Sequence, residues 1–209
     1  MRAVILLFGC FLTDVFALLE VQTNYHDAIG IPTAERIKAL EEAIQANRNI
    51  TIEDRIIGGE LAPLNAYPFF AGLLISLVGT TTVSVCSSSL LSPNRVVTAA
   101  HCNFDGVQLA SEFTVILGSN YLYIGGERIA TRKVFMHPYY IPRYSRNDIA
   151  ILYLPWNVKS TNIIHPIKLP DTSDLRNLFV GYWATAVGFG STSDARKLSH
   201  FLPFNRNIV

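Results

Sequence analysis

From Ile56 onward the apolar residues of this chain fall in short runs, most of them rich in β-branched or aromatic side chains. The runs occupy positions 69–78, 82–86, 95–98, 113–118, 128–135 and 149–154. Gly, Pro, Asn and Ser separate them, as at Ser92-Pro93-Asn94 and Gly125-Gly126. Short strands punctuated at such intervals predict an all-β barrel or sandwich rather than alternating β and α units. One more run, at 183–187 with Gly188-Phe189-Gly190 behind it, starts a second group of strands. That glycine pair is no phosphate loop, because it lacks a third glycine, a lysine and a following helical pattern.

Residues 18–55 follow a different rule. Ile37, Leu40 and Ile44 recur there at helical spacing, with Glu35, Lys38, Glu41 and Glu42 between them. One short amphipathic helix is predicted, with Thr33 as its N-cap and its end at 47–49. The segment holds four basic and seven acidic side chains (4 − 7 = −3), whereas residues 56–209 hold twelve and eight (12 − 8 = +4). An acidic leader on a mildly basic body fits a removable segment. Asn49-Ile50-Thr51 matches a glycosylation acceptor.

Residues 1–17 read as an export signal. Arg2 supplies the positive start, residues 3–12 the apolar core, and Val15-Phe16-Ala17 the small residues suited to cleavage after Ala17. Thr13 and Asp14 interrupt the core too early for a membrane span. The expectation is a secreted, extracellular protein without a membrane anchor. A net charge of +1 argues against nucleic-acid or anionic-membrane partners.

Cleavage of that leader removes Cys10 and leaves Cys86 and Cys102. In an exported chain two cysteines favour one disulfide, worth about 3 kcal/mol for a loop of this length. Two free thiols or half a metal site are the alternatives. Zinc needs more ligands than two cysteines and an adjacent His101 provide, so no metal or other cofactor is expected.

Three places can carry chemistry. Arg55 precedes Ile56-Ile57-Gly58-Gly59, a good cleavage site whose new amino terminus at Ile56 can be buried only against a carboxylate. Taken alone, it is also an ordinary Gly-Gly turn. His101 follows Val96-Val97-Thr98 and the small Ala99-Ala100 at a strand end, where a disulfide through Cys102 would hold its ring firmly. Asp148 stands between Asn147 and the apolar Ile149-Ala150-Ile151-Leu152. An acid entering a buried strand needs a partner, and an imidazole N–H is a suitable one. In isolation it is equally a turn residue. His26, His165 and His200 have no comparable setting and receive no role, and His137-Pro138 begins a loop.

Taken together, Arg55-Ile56-Ile57-Gly58-Gly59, Cys86-Ser87-Ser88-Ser89-Leu90, Thr98-Ala99-Ala100-His101-Cys102 and Asn147-Asp148-Ile149-Ala150-Ile151-Leu152 resemble the chymotrypsin/trypsin-like serine proteases in order and rough spacing. Gly188-Phe189-Gly190 resembles the family's Gly-Trp-Gly segment in the form associated with insect digestive and collagenolytic members. The resemblance implies a double β-barrel with a Ser-His-Asp triad between the barrels. It implies a signal peptide at 1–17, an activation propeptide at 18–55 and a protease domain at 56–209. Residues 56–165 would form a complete first barrel and 166–209 the start of a second.

By that resemblance His101 is the general base, Asp148 its orienting acid, Cys86–Cys102 the neighbouring disulfide, and Arg55-Ile56 the bond cut by a trypsin-like activator. The family's Gly-Asp-Ser-Gly-Gly does not occur in the 209 residues. Ser87, Ser88 and Ser89 follow a disulfide cysteine on a strand and read as scaffold, and Ser191 and Ser193 sit in a turn without the flanking glycines that would aim amides at an oxyanion, so the nucleophile is expected to be absent from this chain and the chain alone inactive. The leading expectation is a secreted serine endopeptidase zymogen acting on protein or peptide substrates. The alternatives are a non-catalytic, protease-like binding or regulatory protein and an inactive truncated product.

Overall fold

The computed structural model describes residues 24–46, 62–176, 180, 184–185, 187–189 and 207–208. The expected signal peptide, Arg55-Ile56, the acceptor at Asn49, Ser191, Ser193 and His200 lie outside the described residues.

The strands are β1 (Phe70–Leu77), β2 (Val83–Ser92), β3 (Arg95–Thr98), β4 (Ala110–Leu117), β5 (Glu127–Thr131), β6 (Val134–Met136) and β7 (Ala150–Tyr153). They form one antiparallel sheet in the order β5-β4-β1-β2-β3-β7-β6. Alternation sorts their side chains. Ala71, Leu73, Ile75 and Leu77 of β1 meet Phe113, Val115 and Leu117 of β4, and Cys86, Leu90, Val96, Ile129 and Leu152 join the inner cluster. Full burial of each large member stabilises the fold by roughly 1.5–3 kcal/mol.

The run read as a single strand over 128–135 is broken at Arg132 and Lys133. Before the break it pairs with β4, and after it with β7, at the opposite edge of the sheet. Thr131 Oγ1 donates to the Tyr153 carbonyl (2.7 Å), and Tyr153 N–H donates to the Lys133 carbonyl (2.9 Å), fixing the bend. One short piece of chain therefore joins the two edges and curls the sheet on itself. β2 runs six residues past its expected end at Cys86. Its serines fit the sheet because their hydroxyls are occupied, as where Ser88 Oγ donates to the Ala71 carbonyl (3.0 Å).

Ala184–Thr185 (β8) pairs with Asn207–Ile208 (β9) in a separate two-stranded ladder. In residues 24–46 a π-helical turn, His26–Gly30, leads into α1 (Ile31–Ala46). Thr33 is therefore not a cap, since the chain is already helical before it. The π turn gives way where Pro32 removes an N–H from the hydrogen-bond ladder. Among the described residues no helix is long and apolar enough to cross a membrane.

Candidate active site

Sheet register brings the two candidate residues together. β3 and β7 pair with Thr98 opposite Ala150, so the residues just after Thr98 lie beside those just before Ala150. Ala99 is extended, and Ala100–Cys102 then forms one 3-10 turn with Ala100 and Cys102 buried. Small residues are needed here because the turn is pressed against the sheet. Cys102 is bonded to Cys86 of β2 across 16 residues of sequence. Thr98 Oγ1 ties the same corner to the Ser87 carbonyl at 2.9 Å.

Asp148 arrives on a hairpin whose tip is closed by paired N–H···O bonds between Ile141 and Arg146. Asn147 adopts φ 56°, in the left-handed region that asparagine tolerates, and its side-chain amide donates to the Tyr139 carbonyl at 2.7 Å. Ile149 N–H reaches back to the Asn147 carbonyl (2.9 Å), leaving Asp148 at the apex of a tight bend.

From there both carboxylate oxygens reach His101. Oδ1 accepts the His101 backbone N–H at 2.8 Å, and Oδ2 lies 2.7 Å from ring Nδ1. One acid thus fixes the position of the main chain and the orientation of the ring. With Asp148 accepting from Nδ1–H, the imidazole is held in the tautomer that leaves Nε2 able to take a proton. The two side chains are 27% and 20% exposed, so the pair sits at a rim, partly shielded from water. A cleft of about 700 Å³ runs alongside Asp148, walled by Tyr67, Phe69, Phe70 and Val97. Burial first, then the charges of Asp148 and Asp105, push the Tyr140 hydroxyl up, so it stays protonated beside the pair.

Cys86, His101 and Cys102 offer ligand atoms within 4.8 Å of one another, a cluster resembling a metal site. The two sulfurs are spent on each other in the disulfide, so neither is a thiolate ligand. Among the serines, Ser88 Oγ is taken by Ala71 and Ser84 Oγ by the ring of His26.

His26 departs most from its sequence reading. Given no role there, it is fully buried, with its backbone N–H on Asp105 Oδ2 (2.8 Å) and Nδ1 on Ser84 Oγ (2.8 Å). Next to it the Tyr25 ring lies on the His101 ring, with centroids 4.3 Å apart and planes 52° from parallel. Nothing local to Tyr25-His26 signals this, since the partners are 58 to 79 residues away.

A curled antiparallel sheet that sets a histidine against an aspartate beside a disulfide at its rim is the architecture of chymotrypsin-like serine proteases. Comparison with known proteins agrees. The trypsin family model matches residues 56–202. A collagenase of Hypoderma lineatum is 36% identical over 157 residues, covering 75% of this chain and 57% of that protein. Mouse cathepsin G is 32% identical, covering 68% and 52%, and the proclotting enzyme of Tachypleus tridentatus 34%, covering 68% and 42%. A solved structure of HL collagenase superposes with a TM-score of 0.61 at 32% identity, over 71% of this chain and 60% of that one. The chain belongs to the trypsin family of serine proteases. It spans about half the length of the curated relatives it matches.

Proposed function

We propose that this chain belongs to a secreted serine endopeptidase made as a zymogen, with His101 as general base and Asp148 as its orienting acid. The observation that carries the reading is the double contact of Asp148 with the ring and backbone of His101. An aspartate that holds one histidine by both its main-chain N–H and its ring Nδ1 fixes that imidazole in the orientation proton transfer needs. In the proposed reaction Nε2 of His101 takes the proton of a serine hydroxyl as that oxygen attacks a peptide carbonyl. The resulting imidazolium is stabilised by the Asp148 carboxylate and returns its proton to the leaving amine. Water then repeats the sequence on the acyl-enzyme. The serine of this scheme is not assigned among these 209 residues, which contain no Gly-Asp-Ser-Gly-Gly.

Residues 1–17 are proposed to direct export, and 18–55 to be an activation segment removed by a trypsin-like enzyme at Arg55-Ile56. A protein or peptide substrate follows from the family; no nucleic acid, membrane or cofactor enters the scheme. The test uses the complete gene product. After cleavage, N-terminal sequencing should begin at Ile56, and a serine-directed fluorophosphonate should label the protein covalently. A mature terminus elsewhere would refute the activation site. Absence of labelling on correctly cleaved protein would refute the endopeptidase and favour a protease-like binding protein.

A further inference from the structure

The N-terminal segment does more than precede the sheet; it is fastened to it at both ends. At the near end the Tyr25 hydroxyl donates to the Val85 carbonyl (2.9 Å) while its ring covers His101. His26 is sunk between Asp105 and Ser84. Gly30 lies so close to β2 that a Cβ there would fall 1.9 Å from Ser84 Oγ, the atom His26 binds. At the far end Glu41, only 3% exposed, accepts the backbone N–H groups of Leu122 (2.7 Å) and Tyr123 (2.8 Å). Between them Ala34 and Ile37 pack with Val85, Ile116 and Leu122, on the face of the sheet opposite its inner cluster.

A buried carboxylate and a buried imidazole are costly unless their partners are specific, and here each partner belongs to the sheet. A segment serving only as a tether has no use for them. After removal of residues 1–17 no cysteine remains in it, so once cut at Arg55 it would be held by these contacts alone.

We infer that residues 24–46 are a built-in inhibitor whose Tyr25 caps the imidazole of His101 and blocks the approach of a polypeptide to it. The inference rests on the proposed role of His101 and on residues 18–55 being the activation segment. Cleavage at Arg55 severs the covalent link, and activity follows only when the cap leaves. Activation therefore has two steps, cutting and release, and the released peptide binds the same surface again when its concentration is high.

The test is the accessibility of His101 to diethyl pyrocarbonate in the intact chain, mapped by peptide mass, with exposed His165 as the internal standard. In the wild-type chain His26, which is fully buried, and His101, screened by the Tyr25 ring, should be modified about tenfold or more slowly than His165. Glu41→Lys should bring both histidines close to the His165 rate, with the Cys86–Cys102 disulfide and amide protection in β1 and β4 retained. Tyr25→Ala, which leaves the helix docked, should expose His101 while His26 stays protected. The inference is overturned if His101 in the wild-type chain reacts as fast as His165. It is equally overturned if Tyr25→Ala leaves the His101 rate unchanged. Neither result depends on a serine, so a failed cap and a failed protease assignment are told apart by the fluorophosphonate result.

Discussion

At Asp148 one side chain makes two bonds whose loss has different consequences. Replacement by Asn keeps an oxygen for one of them but offers an N–H₂ where the ring now meets an acceptor, turning the imidazole to the wrong tautomer. If His101 and Asp148 serve a Ser-His-Asp triad, that change should cost about four orders of magnitude in kcat, as in the chymotrypsin-type example. Stability should fall far less, since the same residue in Asp148→Asn still bridges the 3-10 turn to the hairpin. Gly72 carries a separate expectation. A Cβ there would lie 2.2 Å from Leu122 Cδ2 and 2.9 Å from Phe189 Cε2. Gly72→Ala should lower stability by about 1–3 kcal/mol through overpacking, measured by denaturant unfolding. The histidine and aspartate were singled out in the sequence by the family resemblance that their flanking runs carry together, since Asp148 alone is equally a turn residue. Tyr25 and His26 carry no such run. Their meaning lies entirely in what the fold brings opposite them.

The element that most exceeds its sequence reading is α1 with the turn before it. Its apolar period was visible in Ile37, Leu40 and Ile44, yet the buried row is Gly30, Ala34, Ile37 and Glu41. Glu41 looked like part of a solvated face because the two amides that hold it are 81 and 82 residues distant. Glu41→Ala leaves the buried Leu122 N–H and the half-buried Tyr123 N–H without this acceptor, which should weaken docking by about 1–3 kcal/mol.

Docking should also depend on pH. Burial holds His26 below the ordinary histidine value, with the charge of His101 acting the same way. Asp105, Asp27 and the His101 main chain oppose it, but burial prevails. The neutral ring is therefore the docked form. Its contribution is complete above the free value of 6.5 and is lost as pH falls from there through the lower docked value. Glu41 works in the opposite sense. Burial raises it against the bonds from Leu122 and Tyr123 and the charge of Arg128, so its contribution grows as pH falls toward 4.5. Protection factors of the Leu122 and Tyr123 amides should decline on acidification just below pH 6.5, and His26→Gln should remove that decline. Unchanged protection in the wild-type chain across this range would show that His26 does not govern docking.

For the whole molecule, the strand runs and their turn residues were enough to place an all-β barrel or sandwich, because alternation and punctuation are local properties. The curl was not local. It depends on the break at Arg132 and Lys133, which reads as one uninterrupted strand until β4 and β7 are seen to claim its two halves. The same curl carries β3 and β7 into the register that joins residues 101 and 148, so fold and site share one cause. If Nε2 of His101 accepts a proton from a serine, the rate at which the complete, Arg55-cleaved protein is labelled by a fluorophosphonate must depend on Asp148. Labelling should be rapid in the wild type and slower by about three to four orders of magnitude in Asp148→Asn. Equal labelling rates in the two proteins would contradict the assignment.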